Sequence, residues 1–323
     1  MPEQLTTAEA PQESTSPDTW ELPQYRSPVE PVRRADGALR YTGISYAMPA
    51  GYRPLQMELW TPADTDRPPC VVWIHGGAWF FGDRRWLPET VEPDGVFNAL
   101  LAAGVAVASI DYRLSAEARF PAQLHDAKAA IRYLRHYADR LNLDPHRIGV
   151  WGESAGGHLA ALVALTGGLA ALEGEVGVRG PDSSVRVCVD WYGLSDLRSD
   201  DDTDSDPDSD AEPGPDESLE PGLPFDIVGM LLGSRDPQAA RAASPVTYAT
   251  ADAPPFLLMH GTGDVVVPAA HSEILHDALT QAGAQSELLL VDGADHIFSG
   301  APDVPALIKT SVAFLASHLN TES

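Results

Sequence analysis

Short apolar runs recur along the chain, separated by longer stretches of helical period. CVVWIH (70–75), VAVASI (105–110), RIGVW (147–151), VRVCVDW (185–191), PFLLMH (255–260) and SELLLV (286–291) read as strands. Most are apolar throughout, with no polar alternation, which predicts a sheet covered on both faces. Between them VFNALLAAG (96–104), FPAQLHDAKAAIRYLRHYA (120–138), AGGHLAALVAL (155–165) and segments near 269–282 and 304–318 read as helices. In the second of these Leu124, Ala127, Ile131 and Leu134 recur at spacings of three and four, one stripe of a helix. Upstream, RYTGISYAM (40–48) and LQMELW (55–60) predict an antiparallel pair. The pattern predicts an α/β fold: a mostly parallel eight-stranded sheet with helices on both faces.

Two stretches break this rhythm. Residues 1–38 are rich in Pro, Glu, Ser and Thr and predict a flexible N-terminal arm, leaving a folded domain over 39–323. The second is an insertion at about 196–243, which contains RSDDDTDSDPDSDAEPGPDESLEPG. It reads as a solvated loop and a small cap or lid. FDIVGMLLG (225–233) follows as a helix that either covers a site or joins the core. The alternating aspartates suggest a calcium loop, but no register supplies the glycine needed at loop position six; from Asp206 that place is Ala211.

The formal net charge is −26, and residues 199–220 contribute eleven acids and no Lys or Arg. The rest of the chain is acidic as well. Such a surface repels phosphate backbones, so nucleic acid is not an expected partner. Cys70 and Cys188 lie inside apolar runs and read as buried free thiols. The first twenty residues lack a basic region followed by an apolar one, and the apolar run near 99–110 is too short to span a bilayer. A soluble, cytoplasmic protein with no membrane span is expected. A homodimer is compatible with the sequence, which does not decide the oligomeric state.

The densest chemistry lies in RIGVWGESAGGHLAAL (147–162). Gly152-Glu153-Ser154-Ala155-Gly156 has G-x-S-x-G spacing between a predicted strand and a predicted helix. A serine at such a turn projects its hydroxyl from the sheet, and the flanking glycines let strand and helix approach. The N–H of Ala155 opens the helix and faces the same space. A serine needs a base and an orienting acid. Among the downstream histidines, His158 should point away along the helix, and His271, His276 and His318 fall within helices. His296, in the loop GADHIF after the last strand, can reach over the serine, and His260 at a strand end is second best. Asp264, in HGTGDVVVP at the carboxyl end of a strand, is the candidate acid. Asp295 adjoins His296, which makes that pairing awkward, and Asp292 is a weaker rival. His75-Gly76-Gly77-Ala78-Trp79 follows the strand CVVWIH and fits an HGGG-type oxyanion turn with alanine in the last place. Whether Gly76 or Ala78 supplies an N–H there stays open. Trp79, Phe80, Phe81 and Tyr192 are candidate pocket walls, with core packing as the alternative. No HExxH, P-loop or dinucleotide fingerprint occurs, and no cofactor or metal is expected.

Together these motifs resemble the α/β-hydrolase superfamily. More narrowly, they resemble the carboxylesterases of the hormone-sensitive-lipase and feruloyl-esterase-like (BD-FAE) groups. The likeness runs from about Tyr41 to the C-terminus through HGGAW, DYRLS, DPHRIGVWGESAGGHLA, WYGLSDL, SPVTYA, PPFLLMHGTGDVVVP and GADHIF. It implies the α/β-hydrolase fold and hydrolysis of a small-molecule ester through an acyl-enzyme. It also implies Ser154 as nucleophile, His296 as base, Asp264 as its orienter, and Gly77, Ala78 and Ala155 as oxyanion donors. Arg113, Glu117 and Asp126 would form a buried scaffolding network. Ala78 and the acidic insertion depart from the family pattern. The same machinery also suits an amidase, a thioesterase or an acyl-transferring, cyclising enzyme, and a non-catalytic binding protein is the alternative of another class.

Overall fold

In the computed structural model, which describes residues 23–93, 95–198 and 226–320, the apolar runs lie side by side in one sheet. Its strands are β1 (Val32–Arg33), β2 (Leu39–Ala47), β3 (Leu55–Thr61), β4 (Cys70–Ile74), β5 (Ala106–Ile110), β6 (Ile148–Glu153), β7 (Cys188–Trp191), β8 (Phe256–Gly261) and β9 (Ser286–Val291). Their order is β1-β2-β3-β5-β4-β6-β7-β8-β9. Pairings from β1 to β5 through β2 and β3 are antiparallel, and all pairings from β5 through β4 to β9 are parallel.

The helices are α1 (Gly95–Ala102), α2 (Ala122–His136), α3 (Ala138–Leu141), α4 (Ala155–Leu165), α5 (Ile227–Leu232), α6 (Pro237–Ala243), α7 (Ala270–Ala282) and α8 (Val304–Leu319). Because strand side chains alternate, the strands from β3 to β9 feed two cores, one on each face. Cys70, Val72 and Ile74 of β4 pack with the small residues of α2 and α4. Val71 and Trp73 face the other way, toward α1 and α8. There Trp73, Trp151 and Trp191, from three adjacent strands, meet edge to face at 4.9–6.4 Å between centroids, a favoured geometry for aromatic pairs. Cys70 and Cys188 are buried and free, and burial pushes the Cys70 thiol up to about 12.

Among the described residues the sheet has nine strands, one more than the apolar pattern predicts. The addition is β1, whose two residues are exposed and pair with Arg40 and Leu39. Backbone pairing alone makes it a strand, so it leaves no hydrophobic period. Of the arm expected over 1–38, residues 1–22 lie outside the described residues, and the remainder is anchored to the body. Tyr25 packs against Tyr133, His136 and Tyr137, and Tyr133 Oη donates to Arg26 O at 2.7 Å.

Much of the insertion, residues 199–225 with most of the aspartates, also falls outside the described residues. Its C-terminal part is tied to the body. Ile227 and Leu231 of α5 are in the core, and Leu231 O accepts the Phe120 N–H at 2.9 Å. Among the described residues no helix is long and apolar enough to cross a membrane.

Candidate active site

Ser154 stands between β6 and α4, with φ 53° and ψ −123°. Few non-glycine residues adopt that conformation, and holding it costs about 1–3 kcal/mol. The glycines around it are dictated by contact. A Cβ at Gly152 would overlap Gly156 O, one at Gly156 would overlap Ile74 O, and one at Gly157 would overlap the Asp190 carboxylate. Backbone therefore presses on backbone where strand turns into helix. The Ser154 hydroxyl makes no cap bond to α4, which leaves it free to face outward.

The structure brings Ser154 together with His296 and Asp264. His296 Nε2 lies 3.1 Å from Ser154 Oγ, and His296 Nδ1 lies 2.7 Å from Asp264 Oδ2. The Asp264 side chain is fully buried, whereas that of His296 is 17% exposed. Burial alone would raise the Asp264 carboxyl. Hydrogen bonds from His260, His296 and the Val267 N–H overcome that and hold it far below the usual carboxylate range. An ionised carboxylate only accepts, so His296 carries its proton on Nδ1, and in the neutral ring Nε2 is left to accept from the serine hydroxyl. That order of donors and acceptors is what proton removal from Ser154 requires.

The rival acids lie elsewhere. Asp295 Oδ1 accepts the N–H groups of His296 and Val265 at 2.8 and 3.1 Å, tying two loops together. Asp292 is exposed. Of the rival bases, His158 is buried between Trp79 Nε1 and Ala243 O. His260 is buried behind Asp264, not over the serine.

The HGGAW turn follows β4. Gly77 has φ +97°, and a Cβ there would overlap Phe81 O; Ala78 and Trp79 also have positive φ, at 52° and 53°. The N–H of Gly76 donates to Glu153 Oε1 at 2.6 Å, so it cannot face a substrate oxygen. Among the described residues the N–H groups of Gly77, Ala78 and Ala155 have no acceptor within the chain. Trp79 sits behind the turn in the core, fully buried, its Nε1 given to His158 at 3.2 Å. Phe80 and Phe81 are exposed, and Phe81 meets Trp86 edge to face. Tyr192 is buried with φ 43°, its ring 4.9 Å from that of His296, and its hydroxyl has no partner among the described residues.

Sequence reasoning passed over two carboxyls here. Glu153, beside the serine, is buried, and burial pushes it up to about 7, opposed by the Gly76 N–H and by the nearby His296 imidazole. Asp190, buried under the Gly193 N–H, is likewise pushed up to about 7. The available signal was an acid at or next to the end of an otherwise apolar strand, as in WGE and VDW. Arg113 pairs with Asp126 at 2.7 Å, largely buried. Glu117 instead joins Arg53 at 2.9 Å, which splits the network implied for these three residues. Among the described residues no group of three or more His, Cys, Asp or Glu side chains could hold a metal ion.

The BD-FAE family model matches residues 57–279. The esterase LipC of Mycobacterium tuberculosis is 32% identical over 285 residues, covering 86% of this chain and 65% of LipC. The esterase LipQ of the same organism is 30% identical over 261 residues, covering 79% of this chain and 56% of LipQ. The chain thus spans less than two thirds of either relative. Among solved structures, a truncated carbohydrate esterase from gut microbiota superposes with a TM-score of 0.73 at 27% identity, covering 89% of this chain and 99% of that one.

Proposed function

The chain belongs to the BD-FAE family, and from that premise we propose that it is a serine carboxylesterase working through an acyl-enzyme. One observation carries the reading: Ser154 Oγ, His296 and Asp264 Oδ2 stand in series at 3.1 and 2.7 Å, at the carboxyl ends of β6 and β8 and after β9. Ser154 attacks the ester carbonyl while His296 takes its proton, and Asp264 stabilises the imidazolium that forms. The oxyanion is received by the N–H groups of Gly77, Ala78 and Ala155, already held in place by backbone and so needing little reorganisation. His296 returns the proton to the leaving alcohol. Water, deprotonated by the same imidazole, then releases the acid and regenerates Ser154.

The exposed Phe80 and the buried Tyr192 flank this machinery as candidate pocket walls. The similarity to a carbohydrate esterase adds acylated sugars to the small esters worth assaying. Ser154→Ala should cost at least ~10³-fold in turnover of a short p-nitrophenyl ester. A fluorophosphonate probe should label the native protein and not the variant. Undiminished hydrolysis by Ser154→Ala would overturn the reading. A panel of matched ester, thioester and amide substrates ranks the acyl groups.

A further inference from the structure

His260 is the penultimate residue of β8 and takes no part in the reaction above. Its side chain is fully buried and engaged at both ring nitrogens. Nε2 lies 2.8 Å from Val267 O and 3.2 Å from Asp264 Oδ2, and Nδ1 lies 2.7 Å from Ser272 Oγ. A carbonyl and an ionised carboxylate only accept, so Nε2 carries a proton; in the neutral ring Nδ1 then accepts from the Ser272 hydroxyl. Ser272, in the first turn of α7, thereby fixes the ring from the side opposite Asp264.

Asp264 Oδ1 is already taken by the N–H groups of Val266 and Val267, at 2.9 and 2.8 Å. Oδ2 lies between two imidazoles, His296 toward solvent and His260 toward the core. The main acceptor of the His260 proton is Val267 O, the carbonyl of the residue whose N–H caps the other carboxylate oxygen, with Oδ2 as the longer, second contact. Strand end, carboxylate and following turn are therefore locked by one ring.

We propose that His260 is a positioning residue of the catalytic series, holding the Asp264 carboxylate in the plane that His296 Nδ1 requires. The series then runs Ser272, His260, Asp264, His296, Ser154. The proposal rests on Ser154 being the nucleophile. Without the inner ring, Oδ2 loses its core-side contact and the Val267 carbonyl loses its donor, so the carboxylate and its turn are held less firmly. Misplacement by a fraction of an ångström is felt in kcat, because the serine-to-imidazole transfer depends on alignment. A carboxylate stripped of this donor also attracts the His296 proton more strongly, which favours the imidazolium and moves the acidic limb of kcat/KM to higher pH.

The test compares kcat, KM and pH profiles on p-nitrophenyl acetate for the full chain and for His260→Leu, His260→Gln, Asp264→Asn and the His260→Leu/Asp264→Asn double variant. His260→Leu should lose about tenfold to hundredfold in kcat, with KM within about twofold and the acidic limb raised. His260→Gln presents an amide N–H near the lost donor and should recover most of the rate. In the Asp264→Asn background His260→Leu should cost less than about twofold more, the non-additivity expected of coupled residues. A folded His260→Leu with full activity overturns the proposal. So does equal loss in the Leu and Gln variants together with additive loss on Asp264→Asn. Should His260→Leu fail to fold, His260→Asn, too short to reach Asp264, takes its place: impaired beside an active Gln variant it supports the proposal, and equal activity of the two overturns it. A Ser154→Ala variant that still turns over removes the nucleophile reading and this proposal with it. An inactive Ser154→Ala beside an unaffected His260→Leu removes the proposal alone.

Discussion

Two aspartates lie within reach of the loop that carries His296, and their surroundings assign them different work. Asp264 accepts from imidazole and amide donors and is fully buried, whereas Asp295 only receives backbone N–H groups from two loops. Asp264→Asn replaces the oriented carboxylate by an amide that favours the wrong imidazole tautomer and should reduce kcat by ~10³–10⁴-fold. Asp295→Asn keeps an acceptor oxygen for both amides and should lose less than about tenfold, since a neutral hydrogen bond is worth only about 1 kcal/mol. Steady-state rates of the two variants on one ester decide the matter, and the reverse ranking would move the acid to Asp295. At this scale the serine was legible because G-x-S-x-G has a steric cause, and Asp264 because it stands at a strand's carboxyl end. Glu153 was not legible. It occupies a position where any residue satisfies the motif, and its bond to Gly76 joins residues 77 positions apart.

The strand-to-helix turn at Ser154 depends on glycine where β6 and α4 meet β4. Gly156→Ala would drive a methyl into Ile74 O and His75 O, backbone atoms with nowhere to move. It should cost roughly 3 kcal/mol or more, read as a lower urea midpoint with an unchanged slope. Gly95→Ala, where the nearest side-chain atom lies 3.4 Å away on Val91 at the start of α1, should stay within about 1 kcal/mol of the native chain. Removing one partner of the Arg113–Asp126 pair, as in Asp126→Ala, leaves a largely buried guanidinium uncompensated and should cost about 3–5 kcal/mol. The inner parallel strands β4 to β8 were legible as elements because burial on both faces writes a continuous apolar run, whereas β9 at the sheet edge is half-exposed and was legible from its apolar LLLV alone. The exposed β1 carries no such signature, since its partner strand, not its side chains, makes it a strand.

Across the whole molecule, Glu153 and Asp190 are buried carboxyls raised from 4.5 and 3.8 to about 7. Each favours the protonated form in the fold, so the stability it contributes is fully present below its unfolded value and is lost as pH rises through about 7. Asp264 acts with the opposite sign: its depressed value contributes stability above the ordinary carboxylate range, lost as pH falls through its folded value. His75, His125 and His158, buried and lowered to about 4, gain stability as pH rises toward 6.5 and so oppose the two carboxyls in the native curve. The carboxyls are isolated by difference, and the melting temperature of the native chain relative to Glu153→Gln/Asp190→Asn should fall as pH rises from about 4 to about 7. A difference between the two curves that stays constant over that range would count against both shifts. What the sequence determined by itself was whatever local sterics and burial write locally: the parallel strands, the helices between them, the serine turn and the loops bearing His296 and Asp264. Only the tertiary structure decided which of several histidines and acids meet, that Glu153 takes the Gly76 amide, and that His260 stands behind Asp264 instead of above the serine. Those outcomes depend on distances between residues far apart in the chain. Such distances are set when strands take their order in the sheet and helices settle on its faces, and no window of sequence contains them.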